Sequence, residues 1–275
     1  MTGDATVDGA GQGRGGDWLA GRGAVVTGGG RGIGSAVADA LVGAGAGVVV
    51  AARSTEEIEM VAERLGATGA RVHAVPCDVS DEVSVAKMAD RARELLGAVD
   101  ILVNNAGISG SAPFLRVRVG DWEAMHRVNA TGPLLVTQAL LPGMLERGWG
   151  RIVNVASVVG LKGARYISSY ASSKHALLGM TRCLADELAG TGVTVNSVCP
   201  GYVDTPMTTR NILRIAEATG RDAAAVRRGL EEMQPGGRFV SPGEVAQAVL
   251  SFLPEAAASL QGSELVVRGG SSGPG

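Results

Sequence analysis

Short runs of β-branched residues alternate with longer amphipathic segments along most of this chain, and this alternation limits the folds that it can adopt. The candidate strands are residues 24–27, 48–52, 72–75, 101–104, 152–157, 193–198 and 264–267. The candidate helices between them are residues 33–45, 56–68, 81–96, 121–147, 168–190 and 242–253. Strands that alternate with helices predict an α/β fold with a parallel, doubly wound sheet. Because the strands are nearly continuous in Val and Ile, we expect both faces of this seven-stranded sheet to be covered by helices.

The two ends of the chain lack this pattern. Residues 1–19 are rich in glycine, so we predict a disordered leader there and a flexible tail at residues 271–275. No linker interrupts the pattern between them, which predicts a single domain over residues 20–270.

Charge and cysteine content exclude several classes of protein. The chain has 25 basic and 27 acidic residues, so its net charge of -2 creates no field that would attract nucleic acid or an anionic membrane. No apolar run approaches the roughly 18 residues of a membrane span. Cys77, Cys183 and Cys199 are scattered without metal-ligand spacing, which favours a reduced, cytoplasmic protein with no metal site.

A glycine-rich turn joins the first predicted strand to the first predicted helix, as in a Rossmann-type fold. Its glycines are spaced G-x-x-x-G-x-G from Gly28 to Gly34. Glycines let the backbone N–H groups and the start of a helix approach a pyrophosphate without a Cβ in the way. The residues of this turn that we predict to bind a dinucleotide are Thr27, Gly28, Gly30, Arg31, Gly32, Ile33 and Gly34.

The end of the second predicted strand indicates which dinucleotide binds. A fold that prefers NAD places an acidic residue there, on the ribose 2′-hydroxyl, but this chain has Arg53. Arg53 together with Arg31 could hold a 2′-phosphate through charge-assisted contacts. We therefore predict NADP(H) and keep NAD(H) as the alternative.

Tyr170 and Lys174 stand four residues apart in a segment with helical character, so they share a helix face. Neither side chain is a useful acid or base alone near neutral pH. A fixed cation beside a phenol favours the ionised form and so lowers its pKa. The pair is therefore a candidate proton donor.

Several further motifs occur in a fixed order around this pair. Asn104-Asn105-Ala106-Gly107 follows the fourth predicted strand, Asn129 lies in the next helix, Ser157 ends the fifth strand, and Pro200-Gly201 follows the sixth. With Tyr170 and Lys174, this order resembles the short-chain dehydrogenase/reductase family over about residues 20–270. Within the family, the chain is most similar to ketoreductases of β-ketoacyl or polyketide thioesters and to 3-hydroxyacyl-type dehydrogenases.

The resemblance implies a role for each matching residue. Tyr170 would donate or accept the alcohol proton, and Lys174 would lower its pKa and bind the nicotinamide ribose. Ser157 would stabilise the charge that develops on the substrate oxygen. Asn129 would hold a water that links Lys174 to solvent. The further cofactor contacts that it implies, besides Tyr170 and Lys174, are Asp78, Val79, Asn105, Ala106, Gly107, Pro200, Gly201, Val203 and Thr205.

Residues 205–238 occupy the position of a mobile substrate lid in this family. The segment contains Arg210, Arg214, Arg221, Arg227, Arg228 and Arg238 against four acidic residues. This basic excess could meet the phosphates of coenzyme A or of a carrier-protein arm, although a solvated helix face would have the same composition. We expect this lid and the loop at residues 108–114 to select the substrate.

The resemblance also implies a homotetramer, with residues 121–147 and 168–190 at one interface. One departure from the family is Arg268, where an acidic residue is common.

These observations predict an NADPH-dependent ketoreductase that acts on a β-ketoacyl or polyketide-type thioester. Two alternatives stay open. One is an NAD-dependent dehydrogenase of a hydroxyacyl or alicyclic hydroxy-thioester that works in the oxidative direction. The other is a non-catalytic nucleotide-sensing protein, since the same fold carries unrelated functions.

Overall fold

The computed structural model describes residues 16–269. All seven predicted strands are present and form one parallel sheet in the order β3-β2-β1-β4-β5-β6-β7. The strands are β1 Gly23–Thr27, β2 Gly47–Ala52, β3 Val72–Pro76, β4 Ile101–Asn104, β5 Gly150–Val155, β6 Val193–Pro200 and β7 Glu264–Val267. The predicted doubly wound sheet is therefore confirmed.

Nine α-helices connect or follow these strands within the described residues. They are α1 Gly32–Gly43, α2 Thr55–Gly66, α3 Glu82–Leu96, α4 Val119–His126, α5 Gly132–Glu146, α6 Ser168–Glu187, α7 Pro206–Thr219, α8 Ala223–Glu232 and α9 Pro242–Leu250. None of the helices in residues 16–269 is both long enough and apolar enough to cross a membrane.

The sheet separates two hydrophobic cores because successive side chains of a strand point to opposite faces. In β1, Ala24 and Val26 pack into the core that α1, α2 and α9 cover. Val25 between them packs into the other core, under α3 and α5. Burial on both faces explains why the strands read as continuous apolar runs rather than as an alternating pattern.

The topology collects the motif residues at one edge of the sheet. The chain reverses the direction of strand order between β1 and β4, and in such sheets ligands bind at the carboxyl ends of the strands beside this reversal. The glycine turn follows β1, Asn105 follows β4, and Ser157 follows β5. These three segments are therefore neighbours in space although they are far apart in sequence.

Two sequence predictions need correction. The predicted leader extends to residue 19, but Leu19 is buried in the core and its N–H donates to the Ala44 carbonyl at 2.8 Å. The predicted helix 121–147 needs a smaller correction, because the segment is helical from α4 through α5 but a π-helical turn at Arg127–Thr131 interrupts the regular α-helix. The remainder of the leader and the tail lie outside the described residues.

Candidate active site

The glycine turn is tightly packed, and its structure requires glycine at four positions. Gly28 and Gly32 have positive φ angles of 65° and 54°, which favour glycine. Gly34 has no such angle, but a Cβ there would lie 2.2 Å from the carbonyl oxygen of Gly28. A Cβ at Gly30 would instead meet Glu57 of α2 at 2.8 Å. Any larger residue at these positions would push the turn away from its strand.

The start of α1 is suited to bind a phosphate. Its N-cap residue, Arg31, makes no side-chain capping hydrogen bond, and the first turn contains no acidic residue. By contrast, side chains cap α3, α7, α8 and α9. Uncapped N–H groups at a helix N-terminus form a ready anion site. This geometry fits the pyrophosphate of a dinucleotide, and the N–H groups of Ile33 and Gly34 belong to that first turn.

Asn105 and Thr27 hold the turn against the end of β4. The Asn105 side-chain amide donates to the carbonyls of Thr27 and Gly28 at 3.0 and 3.1 Å. The Thr27 hydroxyl accepts from the backbone N–H groups of Asn105 and Ala106. These predicted cofactor residues therefore brace the cleft floor, whatever contact they make with a ligand.

The two arginines that we predicted to hold a 2′-phosphate have different surroundings. Arg31 forms an ion pair with Glu57 of α2. Arg53 is exposed and makes no ion pair or hydrogen bond within residues 16–269. The 2′-phosphate prediction consequently depends mainly on Arg53, because the charge of Arg31 is already compensated.

Asp78 lies beside Arg53 at the end of β3. Its carboxylate accepts from the N–H and the hydroxyl of Ser80 at 2.9 and 2.6 Å, and these hydrogen bonds with Ser80 hold the pKa of Asp78 below its usual value. Arg127 was not predicted, yet its Nε donates to the Ser80 carbonyl at 2.7 Å, and its charge also lowers the pKa of Asp78. Arg127 is 47 residues from Ser80 in sequence, so no local sequence signal indicates this contact.

Ser157 and Tyr170 approach each other above the end of β5. Ser157 begins a short 3₁₀ turn, and its hydroxyl donates to the Pro200 carbonyl at 3.4 Å. Burial raises the pKa of Tyr170, while the interaction with the Ser157 hydroxyl opposes that rise. The desolvation of the phenol outweighs the effect of Ser157, and the predicted lowering of this pKa by Lys174 stays a prediction.

Lys174 is held beneath this pair by the sheet. Its ammonium is 5 % exposed and donates to the Val155 carbonyl at 2.8 Å. Burial lowers the pKa of Lys174 to about 8. The side chain thus sits where predicted, with a backbone carbonyl of β5 as its partner.

Asn129 lies in the π-helical turn, and its side-chain amide forms three hydrogen bonds. Its oxygen accepts from the Ile108 N–H at 2.8 Å, and its nitrogen donates to the Ile108 carbonyl and to the Ser173 hydroxyl. The Ser173 hydroxyl in turn donates to the Tyr170 carbonyl at 2.8 Å. Asn129 therefore ties the loop after β4 to the catalytic helix. An amide oxygen can accept a second hydrogen bond, so the water predicted at Asn129 stays a prediction.

The segment after β6 closes the other side of the cleft. The Gly201 N–H donates to the Val267 carbonyl at 2.9 Å, and Val203 forms a parallel bridge with Val240. Thr205 caps α7 and lies against the glycine turn, since a Cβ on Gly32 would be 3.2 Å from its methyl group. Val79, the last of the predicted cofactor residues, is buried against Gly132.

Helices α7 and α8 cover the cleft and have a small core of their own, formed by Ile212, Val226 and Phe239. Arg227 binds Asp204 through two nitrogens and also pairs with Glu231. Asn211 of α7 contacts Ser109 in the loop after β4, with a hydrogen bond of 3.0 Å. Both proposed substrate-selecting segments are therefore in direct contact with each other.

Among residues 16–269, no three His, Cys, Asp or Glu side chains cluster closely enough to hold a metal ion.

Comparisons with known proteins find relatives within one family of enzymes. The family model described as short chain dehydrogenase matches residues 22–214. The chain is 40 % identical over 253 residues to 3-oxoacyl-[acyl-carrier-protein] reductase FabG of Aquifex aeolicus, covering 92 % of this chain and 98 % of that one. It is 36 % identical to D-beta-hydroxybutyrate dehydrogenase of Cupriavidus necator over 253 residues, with the same coverage. The solved structure of a Phe-to-Trp variant of actinorhodin polyketide ketoreductase with NADPH superimposes with a TM-score of 0.87 at 36 % identity, covering 90 % of this chain and 95 % of that chain.

Proposed function

Because this chain belongs to the short-chain dehydrogenase family, and is thus an NAD(P)-dependent oxidoreductase of CH–OH and C=O groups, we propose that it reduces a β-ketoacyl or polyketide-type thioester with NADPH. The observation that carries this proposal is the convergence of Ser157, Tyr170 and Lys174 at the carboxyl edge of the sheet, beside the uncapped start of α1. The two reductases among the relatives named above support keto reduction.

The proposed mechanism follows from the positions of these side chains. The ketone oxygen lies between the hydroxyls of Ser157 and Tyr170. A dinucleotide held by the glycine turn would supply the hydride for the carbonyl carbon. Ser157 donates a hydrogen bond to the oxygen as negative charge develops there, and Tyr170 transfers its phenolic proton to that oxygen. A phenol whose pKa is raised by burial is fully protonated at neutral pH, so it is ready to donate.

Lys174 stabilises the phenolate that this transfer leaves behind. Its ammonium is buried and points at the end of β5, so its charge is poorly screened by water. Asn129 keeps the loop after β4 and the catalytic helix in register. We propose that its role is this positioning, with a proton path to solvent from Lys174 formed by neighbouring backbone groups and water.

The preference for NADPH is proposed from Arg53. It is an exposed cation at the end of β2 with no partner in the part of the chain that the structure describes. A 2′-phosphate would supply an ion-pair partner for Arg53. Asp78 and Val79 would then lie at the adenine, and Thr205, Pro200, Gly201 and Val203 on the nicotinamide side.

A carrier-bound thioester is supported by the arginines of α7 and α8. Arg227 and Arg238 are already paired with acidic residues, which leaves Arg210, Arg214, Arg221 and Arg228 for a phosphate group. Arg210 lines an open surface cavity of about 510 Å³ at the start of α7, together with Thr205. Such a cavity could receive a phosphopantetheine arm next to the cleft.

The test is a steady-state assay of the purified protein with acetoacetyl-CoA and either NADPH or NADH. We expect reduction with a clear preference for NADPH, and we expect Tyr170→Phe to abolish turnover while NADPH still binds, as measured by fluorescence titration. Failure to reduce any β-keto thioester would overturn the proposed substrate. Preserved turnover in Tyr170→Phe would overturn the catalytic role of Tyr170. A wild type that binds NADPH but turns over no substrate would favour a non-catalytic nucleotide-binding protein.

A second candidate is oxidation of a hydroxyacyl compound with NAD. The similarity to D-beta-hydroxybutyrate dehydrogenase of Cupriavidus necator favours it, and so does the Arg31–Glu57 ion pair, because of the two predicted arginines only Arg53 then has no ion pair within residues 16–269. Equal or faster rates with NAD(H) would support this candidate over the first.

We further propose that the protein is a cytoplasmic homotetramer. Phe114, Leu115 and Val119 form an exposed apolar strip next to α4, which supports self-association through that side of the molecule. Analytical ultracentrifugation would give the number of subunits directly.

A further inference from the structure

A second tyrosine lies beside the proposed proton donor. Tyr202 follows Pro200, whose carbonyl accepts the hydrogen bond of Ser157, by two residues. It is close enough to Tyr170 that its charge would raise the pKa of the Tyr170 phenol. The proposed mechanism uses Ser157 and Tyr170 at the reacting oxygen and has no task for this second phenol.

The protein holds Tyr202 by its backbone and its ring, and leaves its hydroxyl free. The Tyr202 N–H donates to the Gln234 side chain at 3.3 Å, and the ring packs against Phe239 with a centroid distance of 5.9 Å. No residue of the described chain forms a hydrogen bond with its hydroxyl. The side chain is 36 % exposed, and burial alone raises its pKa, so the phenol keeps its proton and remains a donor at neutral pH.

An oriented donor beside a catalytic pair suits a substrate with two polar groups. A β-keto thioester has a second carbonyl one methylene away from the ketone that reacts. With the ketone oxygen between Ser157 and Tyr170, that second carbonyl must lie within the same small cleft, where an unpaired phenol is available. The exposed Tyr202 hydroxyl would exchange a water for the carbonyl oxygen of the substrate, and such an exchange contributes a modest net free energy to binding.

We propose that the Tyr202 hydroxyl donates a hydrogen bond to the thioester carbonyl and thereby makes Tyr202 a specificity-determining residue for β-keto thioesters over simple ketones. This inference rests on the proposed function, since it concerns the same cleft and the same reaction. Tyr202 takes no part in proton transfer.

The experiment compares two substrates of equal length in the wild type and in Tyr202→Phe. One is the acetoacetyl thioester of N-acetylcysteamine, and the other is the matching thioether, in which CH₂ replaces the thioester carbonyl. The measured quantity is the ratio of their kcat/KM values with NADPH. Removing one neutral hydrogen bond should lower this ratio roughly three- to tenfold in Tyr202→Phe. Tyr166→Phe is the matched control, because it removes an exposed hydroxyl but keeps the backbone hydrogen bond from Ala112 to the Tyr166 carbonyl, and it should leave the ratio unchanged.

The outcomes separate this inference from the proposed function. A ratio in Tyr202→Phe equal to that of the wild type would overturn the role of Tyr202 while the reductase activity stands. An equal loss for both substrates would also overturn it, because Tyr202 would then act on Tyr170 and not on the second carbonyl. A wild type that reduces neither compound would refute the proposed function itself. NADPH titration and circular dichroism of Tyr202→Phe show whether the variant is folded and binds cofactor.

Discussion

Replacing Lys174 by methionine should change how the stability of this protein depends on pH. The wild-type ammonium is buried, and burial lowers its pKa from 10.5 to about 8. At about 1.4 kcal/mol for each pH unit, this fall corresponds to roughly 3 kcal/mol of free energy that the folded state loses by keeping the charge. Methionine has a similar length and carries no charge, so the variant should be free of that cost.

The sign follows from the two pKa values of Lys174. Below pH 8 the ammonium is charged in the folded and unfolded states, and the folded state bears the full desolvation cost. Between 8 and 10.5 the unfolded state binds more protons, so the free energy of unfolding rises with pH. From pH 7 to pH 9.5, the wild type should therefore gain about 2 kcal/mol relative to Lys174→Met.

The assay is urea denaturation, followed by circular dichroism, of both proteins at a series of pH values. Comparing two proteins is essential because the pKa values of Cys77 and Cys199 are raised by burial to about 11 and about 12. Their contributions to stability are lost as the pH rises above 9. The contribution of Cys77 cancels in the difference between wild type and variant, whereas that of Cys199 cancels only in part because Cys199 interacts electrostatically with Lys174. Lys87→Met removes an exposed lysine of α3 and serves as the control.

The absolute stability of Lys174→Met is not the quantity of interest, because the variant also loses the hydrogen bond to the Val155 carbonyl. What matters is the slope with pH. A difference that stays constant from pH 7 to 9.5 would refute the inference that burial destabilises the ammonium, and so would a slope equal to that of Lys87→Met.

Three other substitutions test separate parts of the structure. Gly34→Ala places a Cβ 2.2 Å from the Gly28 carbonyl oxygen and should destabilise the protein by about 3 kcal/mol and weaken NADPH binding, whereas Gly43→Ala in the same helix, where the space is open, should be neutral or stabilising in thermal denaturation. Tyr166 has a φ of 69°, so Tyr166→Gly should be about 1 kcal/mol more stable than Tyr166→Ala, and the reverse order would show that this backbone is unstrained. Arg227→Ala frees α8 from the loop after β6 and should raise the KM for a thioester severalfold with little change in the NADPH Kd; an unchanged KM would show that this ion pair does not position the lid.

The strands and the positions of the motif residues could be predicted because their signals are local. A buried parallel strand is recognised from a few consecutive Val and Ile residues, and Ser157 and Asn105 are found at strand ends because the turn begins where that apolar run stops. The π-helical turn inside the predicted helix 121–147 could not be predicted, because the contacts that accompany it are not local. The interactions at the π-helical turn come from Ile108 and Ser173, which are 21 and 44 residues from Asn129 in sequence.

The alternation of apolar runs with amphipathic segments by itself determined the fold of this protein, and the order of its motifs determined which side chains meet at the edge of the sheet. Only the tertiary structure decided the electrostatic state of that site. The pKa values of Tyr170 and Lys174 depend on how far packing removes water from them, and the availability of Arg53 compared with Arg31 depends on where α2 places Glu57. Desolvation and charge pairing are properties of three-dimensional surroundings, and segments distant in sequence create them.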